Sequence, residues 1–219
     1  MARLHLFDLD GTLIRGSAAP VEISRQLGLL EEIGVLERDL VSGRIGPPDY
    51  AVEVHALWSG LTADHVAAAF DAAPWLAGIQ EVWRDIRERG DYCAVISLSP
   101  SFFVERLLGW GAHAAYGSRF PEVPFSRPVD PSGILSAAAK VRIADRLCTE
   151  FAVRRADCIA YGDSMSDVEL FGAVPLSVAV NADGHLAGLA THSYAGGDLR
   201  EAYGLVAGTN GNCPGTDGN

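Results

Sequence analysis

The chain has 219 residues, 48% hydrophobic and 21% charged, a composition that can bury a core and excludes a disordered or collagen-like chain. Lys and Arg number 17 against 28 Asp and Glu, a net charge of −11, which argues against nucleic acid or anionic lipid as partners and obliges any anionic ligand to find positive charge locally. No apolar run reaches about 18 residues, so no membrane span is expected, and an acid as early as Asp8 argues against a signal peptide and for a cytoplasmic protein.

Leu4-His5-Leu6-Phe7 predicts a short strand ending in an acidic turn, Asp8-Leu9-Asp10-Gly11-Thr12. From about residue 18 to 75 the pattern is helical, first through Val21, Ile23, Leu27, Leu29 and Leu30, then through Tyr50, Val54, Leu57 and Trp58. Gly60-Leu61-Thr62 breaks it, with Thr62 placed to cap a helix through Val66, Ala69 and Phe70. A helix follows through Ile79, Val82, Trp83 and Ile86, ended by Gly90, and then a buried strand, Tyr92-Cys93-Ala94-Val95-Ile96. Ser99-Pro100 predicts the next helix start, with Ser99 as cap and Pro100 at the first helical position.

The stretch from Gly111 to Ser132 reads as loop, with a short strand near Ala114-Ala115-Tyr116. A helix over Ile134 to Phe151 is expected next, then a strand at Cys158-Ile159-Ala160-Tyr161, the acidic loop Gly162-Asp163-Ser164-Met165-Ser166-Asp167, a helix through Leu170-Phe171, and a strand at Leu176-Ser177-Val178-Ala179-Val180. Such alternation predicts an α/β fold whose parallel sheet is covered by helices on both faces. The tail 208–219, rich in Gly, Asn, Thr and Asp, predicts disorder. The four cysteines have no CxxC spacing and read as free thiols, the first three in or near the core.

Ligands of open parallel sheets sit beyond the carboxyl ends of the strands. That rule gathers Asp8, Asp10, Thr12, Ser97, Asp163 and Asp167 in one crevice, with Lys140, the only lysine of the chain, on the intervening helix. Clustered carboxylates need a cation, hard oxygen ligands favour Mg2+, and a metal with a lysine attracts phosphate. In this reading Asp8 attacks phosphorus to form an aspartyl-phosphate. Asp10 protonates the departing alcohol and then takes a proton from water, a role that requires Asp10 to carry a proton when the alcohol leaves. Lys140 offsets charge on the phosphoryl oxygens, to which Thr12 and Ser97 donate hydrogen bonds.

Phe7-Asp8-Leu9-Asp10-Gly11-Thr12-Leu13, Ile96-Ser97-Leu98-Ser99-Pro100, Lys140 and Gly162-Asp163-Ser164-Met165-Ser166-Asp167 resemble the four ordered motifs of the haloacid dehalogenase superfamily, over residues 4 to about 205. Motif order and the helical insertion resemble its phosphoserine-phosphatase-like branch. The resemblance implies a Rossmann-like core of residues 1–14 and 77–207, an inserted helical cap of residues 15–76, Mg2+ dependence and an aspartyl-phosphate mechanism. It implies Asp8 as nucleophile and metal ligand, Asp10 as acid/base with its backbone carbonyl on the metal, Asp163 as metal ligand, and Asp167 in support of the metal shell. Ser97 with the Leu98 backbone, and Lys140, match the phosphate binders.

Three departures bear on substrate. The acidic residue that holds the ammonium in phosphoserine phosphatases is replaced by Arg15-Gly16-Ser17, and the cap arginine by Val52-Glu53-Val54-His55; Leu98 stands where that branch has glycine. The expected substrate is therefore a small-molecule phosphomonoester other than phosphoserine, its alcohol less charged than serine, such as a polyol, a carbocyclic intermediate or a lipid-like alcohol. A phosphomutase acting on a sugar phosphate and a non-enzymatic phosphate-binding or phosphoacceptor protein are the alternatives, and a monomer or homodimer is expected. Trp58, Trp75, Trp83 and Phe70 are expected to pack the core, and His55 is the one histidine placed for substrate contact.

Overall fold

A computed structural model describes residues 1–182 and 184–208. In chain order β1 (Leu4–Phe7) is followed by α1 (Ala19–Leu27), α2 (Leu30–Val41), α3 (Pro47–Leu57), α4 (Ala63–Ala72), α5 (Ile79–Glu88), β2 (Tyr92–Pro100), α6 (Ser101–Val104) and β3 (Ala114–Ser118). Then come α7 (Ala137–Glu150), β4 (Cys158–Gly162), α8 (Val168–Ala173), β5 (Leu176–Val180), α9 (Gly184–Ala187), β6 (His192–Tyr194) and α10 (Leu199–Ala207). The strands form one parallel sheet in the order β3-β2-β1-β4-β5-β6. This is the expected α/β architecture with a helical cap inserted between β1 and β2.

Strand alternation builds two cores, because successive side chains point to opposite faces. Phe7, Val95, Ile159, Tyr161 and Val178 pack on one face against Trp83 and Ile86 of α5 and Leu199 and Val206 of α10. Leu4, Leu6, Ala94, Ile96 and Ala160 pack on the other against Ala144 and Leu147 of α7 and Leu170 of α8. Helix α5 buries Ile79, Val82, Trp83 and Ile86, the spacing of a single helical face. Burying each such side chain contributes roughly 1.5–3 kcal/mol.

The chain enters and leaves the cap side by side: Arg15 N–H donates to the Pro74 carbonyl at 2.8 Å, and Leu76 N–H to the Leu13 carbonyl at 2.9 Å. Within the cap Thr62 caps α4 as expected, its hydroxyl accepting from the His65 N–H at 3.3 Å. Cys93, Cys148 and Cys158 are free thiols, with Cys93 and Cys158 buried. Among the described residues no helix is long and apolar enough to cross a membrane.

Several elements differ from expectation. The second strand runs to Pro100 and the helix starts only at Ser101, with no side-chain cap, because Ser99 bonds elsewhere (below) and Pro100, at φ −58° and ψ 133°, is extended. Helix α7 begins at Ala137 rather than Ile134, after a 3-10 turn at Pro131–Gly133. The pieces α9, β6 and α10 were not expected; β6 has three residues, too few for a periodic signal. The disorder expected for 208–219 concerns residues that, from 209 onward, lie outside the described ones.

Candidate active site

The carboxyl ends of β1, β2 and β4 meet at the floor of a cavity of about 690 Å3, lined there by Asp8, Asp10, Leu98, Ser99, Asp163 and Ser166. Asp8 follows β1 directly, and its N–H donates to the Tyr161 carbonyl of β4 at 2.9 Å, so the sheet ladder itself aims the residue. Lys140, in the first turns of α7 and only 1% exposed, donates to Asp8 Oδ1 at 2.7 Å, Asp167 Oδ1 at 2.6 Å and Ser166 Oγ at 3.0 Å. All three ammonium protons are thereby used. A cation near a helix N-terminus opposes the helix dipole; here the two carboxylates offset that cost.

Asp167 is fully committed, for its second oxygen accepts the N–H groups of Asp163 at 3.2 Å and Ser164 at 3.3 Å. It thus ties the loop after β4 to the lysine. Gly162 makes room for it: a Cβ there would lie 2.3 Å from Asp167 Cγ. Gly11 does the same for Asp163, since a Cβ would fall 1.9 Å from Asp163 Oδ2 and the backbone sits at φ +76°, a region that favours glycine.

Asp10 projects the other way. Its Oδ1 accepts the Ala19 N–H at 2.7 Å, which fastens the first residue of cap helix α1 to the core. Its Oδ2 accepts from the hydroxyls of Ser97 at 2.9 Å and Ser99 at 2.7 Å. Between Ile96 and Pro100 of β2 four residues pass against two of β3, and this bulge carries Leu98 and Ser99 to the floor, with Ser97 fully buried behind them. Leu98 lines the cavity. Thr12 is fully buried, and its hydroxyl donates to Asp163 at 3.2 Å rather than facing the cavity. The eight residues singled out in the sequence therefore lie near one another: Asp8, Thr12, Asp163 and Asp167 from the loops that follow β1 and β4 are linked with Lys140 of α7 in one hydrogen-bonded group, Asp10 bonds Ser97 at the bulge of β2, and Leu98 lines the cavity beside them.

The electrostatics of the floor are unbalanced. Burial and the Asp167 charge raise Asp8 well above the ordinary carboxylate range, although Lys140 opposes them. Burial and Asp167 likewise push Asp163 up to about 7 against the pull of its Thr12 hydrogen bond. Burial alone would lower Lys140, but Asp8 and Asp167 more than compensate and hold it protonated. One oxygen from each of Asp8, Asp163 and Asp167 lies within 4.8 Å of the others. Carboxylates in excess of their lysine, all offering hard oxygen, with glycine clearing the space around Asp163, are a donor set that fits Mg2+.

The cap supplies the cavity's other wall through Glu37, Leu40 and Val41 of α2, Pro47, Tyr50, Ala51 and Val54 of α3, and Trp58. The Tyr50 hydroxyl donates to Glu37. Burial and the nearby charge of Asp10 raise Glu37, although the Tyr50 hydrogen bond works against them; burial and Glu37 raise Tyr50 well above the usual phenol value. Glu37 and Tyr50 carry no local motif, and Ser99 lies in a segment whose Ser-Pro pair reads as a helix start. The signal for Ser99 was its position two residues beyond Ser97, on the same side of an extended strand. His55 does not line the cavity; it stacks on Phe125, and its Nε2 lies 3.0 Å from the Arg127 carbonyl. Trp83 is in the core as expected, while Trp58, equally buried, also walls the cavity with its Nε1–H donating to Ser24 Oγ at 2.9 Å.

The chain is similar in sequence and in fold to known proteins. A phosphoserine phosphatase of Archaeoglobus fulgidus is 26% identical over 183 residues, 82% of this chain and 53% of that protein. One of Methanocaldococcus jannaschii is 25% identical over 179 residues, 81% of this chain and 84% of that protein. The chain thus spans about half the length of the first relative and most of the second. In fold, a substrate-bound phosphoserine phosphatase superposes with a TM-score of 0.79 at 23% identity, covering 94% of this chain and 98% of the other. A phospho-aspartyl intermediate analogue of phosphoserine phosphatase gives 0.77 at 23% identity, covering 93% and 98%. The family profile described as haloacid dehalogenase-like hydrolase matches residues 5–172, which include every strand end at the cavity floor, and the chain belongs to that family.

Proposed function

We propose that the protein is a Mg2+-dependent phosphatase that hydrolyses a small-molecule phosphomonoester through an aspartyl-phosphate, with residues 15–76 as cap over a core of residues 1–14 and 77–207. The observation that carries this reading is Asp8: a carboxylate at a cavity floor, 2.7 Å from a buried lysine, with a second carboxylate, Asp10, lining the same cavity. Asp8 attacks phosphorus, and an O–P bond forms as the bond from phosphorus to the leaving oxygen breaks. Asp10 gives its proton to that oxygen, so the alcohol leaves neutral. The Asp10 carboxylate then takes a proton from the water that attacks the aspartyl-phosphate. Inorganic phosphate departs, and both aspartates return to their starting states.

The Ala19 N–H and the Ser99 hydroxyl hold Asp10 toward the leaving oxygen. A serine hydroxyl rotates freely, so Ser97 can turn its proton from Asp10 to a phosphoryl oxygen, beside a donor from the Leu98 backbone. Lys140 fixes Asp8 and lowers its proton affinity, and Thr12 holds Asp163. Asp8, Asp163 and the Asp10 carbonyl, with Asp167 behind them, would hold Mg2+, which when bound neutralises the phosphoryl oxygens.

The test is phosphate release from a panel of phosphomonoesters with and without Mg2+, for the native chain and Asp8→Asn. Metal-dependent release is expected, with a loss on the order of 10^4-fold or more in a folded Asp8→Asn protein. Undiminished release by that variant would overturn the nucleophile.

A further inference from the structure

We infer that the alcohol part of the substrate is an apolar body that carries a hydrogen-bond donor and no anionic group, selected by the pair Glu37 and Tyr50 in the cap. The inference rests on the phosphatase reading and deepens it. The cavity that begins at Asp8 and Asp10 is lined on the cap side by Leu40, Val54 and Trp58, with the exposed Val41 at its rim and Phe120 and Ile134 contributed by the core. At about 690 Å3 it is in the range that encloses a ligand of many heavy atoms. A phosphoryl group at the floor leaves the apolar part of that space for the alcohol.

Among the described residues no Lys, Arg or His lines the cavity, while Asp8, Asp10, Glu37 and Asp163 do. Lys140 is shut away beneath the floor, spent on Asp8, Ser166 and Asp167. A carboxylate or second phosphate on the alcohol would therefore meet the Glu37 carboxylate with no cationic side chain in the cap wall to offset the repulsion, and like charges in such a site discriminate strongly. Glu37 also has capacity to spare. Tyr50 engages Oε1, and Oε2 has no hydrogen-bond partner among the described residues, so a hydroxyl or ammonium on the ligand would find an acceptor there. A half-buried carboxylate set beside apolar side chains favours a ligand that brings it a donor over one that does not.

The experiment measures kcat/KM with Mg2+ on two series. The first holds a two-carbon skeleton and varies its end group: ethyl phosphate, 2-hydroxyethyl phosphate, phosphoethanolamine and 2-phosphoglycolate. The second lengthens the apolar body, from ethyl to hexyl and benzyl phosphate. The hydroxyl or the ammonium ester should exceed the carboxylate ester by at least about tenfold, and whichever of the two leads identifies the donor. Hexyl or benzyl should exceed ethyl by about tenfold or more. Glu37→Gln should raise the ratio of carboxylate to hydroxyl ester by about tenfold, and Tyr50→Phe, which keeps the ring, should change the ratio of hydroxyl to ethyl ester at least about threefold. A preference for 2-phosphoglycolate, indifference to chain length, or ratios unmoved in both variants would overturn the inference while leaving the phosphatase reading intact. No release from any ester by folded, Mg2+-supplied protein would instead sink the phosphatase reading itself.

Discussion

The two ends of the sheet both bury charge, and they do opposite things with it. At the amino end, before β2, Asp91 is 7% exposed and receives the Arg3 N–H at 2.8 Å and its guanidinium at 3.1 Å. Burial acts to raise Asp91, yet the facing His5 and the Arg3 donors pull it down to about 2. At the carboxyl end Asp8 and Asp167 share one lysine, and Asp163, which has no ion pair among the described residues, is pushed up to about 7. Balanced charge at the amino end ties the start of the chain to the residue before β2. Unbalanced charge costs stability and leaves a demand for cations, and a concentrated demand of that kind marks a functional site.

Removing the lysine should break this comparison most sharply. Lys140→Met leaves Asp8 and Asp167 buried without their shared cation, and loss of one partner from a buried ion pair costs about 3–5 kcal/mol. Urea unfolding would measure it, and added Mg2+ should recover part of the loss by binding the native carboxylates. A change under about 1 kcal/mol would mean that the floor tolerates its charge without the lysine.

Asp10→Asn separates chemistry from charge balance. An amide can still accept the Ala19 N–H but has no proton to give at the pH of the reaction, so the loss in kcat is expected at roughly 10^2- to 10^4-fold. An ester with a very acidic leaving group, such as a nitrophenyl phosphate, should suffer less in the first step. Equal losses for acidic and ordinary alcohols would argue that Asp10 serves only to hold the cap.

How much of this was legible in the sequence follows from the range of each interaction. Asp8, Asp10, Asp163 and Asp167 sit in short loops directly after strands, where local residue order sets position, and all four meet in the folded chain. Lys140 was legible because the chain has no other lysine. Ser99 was misread because Ser-Pro is a strong helix-start signal; the competing pull of Asp10, 89 residues away in sequence, leaves no local trace. Glu37 was missed for a related reason. Helix α2 buries a single residue, Ile33, so its periodicity is weak, and the face it turns toward the cavity carries Leu40 and Val41 beside the acid. A polar residue that faces an internal cavity looks, in sequence, like one that faces solvent.

The smallest expected effect tests the balanced end and distinguishes the two by sign. Asp91 is held at about 2 when folded against an ordinary value of 3.8, so its contribution is complete above about pH 4 and is lost as pH falls through 2, worth about 2 kcal/mol in all. Asp91→Asn should flatten that acid limb in urea midpoints taken between pH 7 and pH 2. Asp163 acts in the other direction in protein stripped of divalent ions. Its folded form keeps a proton up to about 7, so its burial costs nothing below the ordinary carboxylate range and progressively more as pH rises toward 7. Asp163→Asn should therefore remove a loss at neutral pH where Asp91→Asn removes one at acid pH. Variants that moved the same limb would mean that the two ends of the sheet do not differ in charge balance.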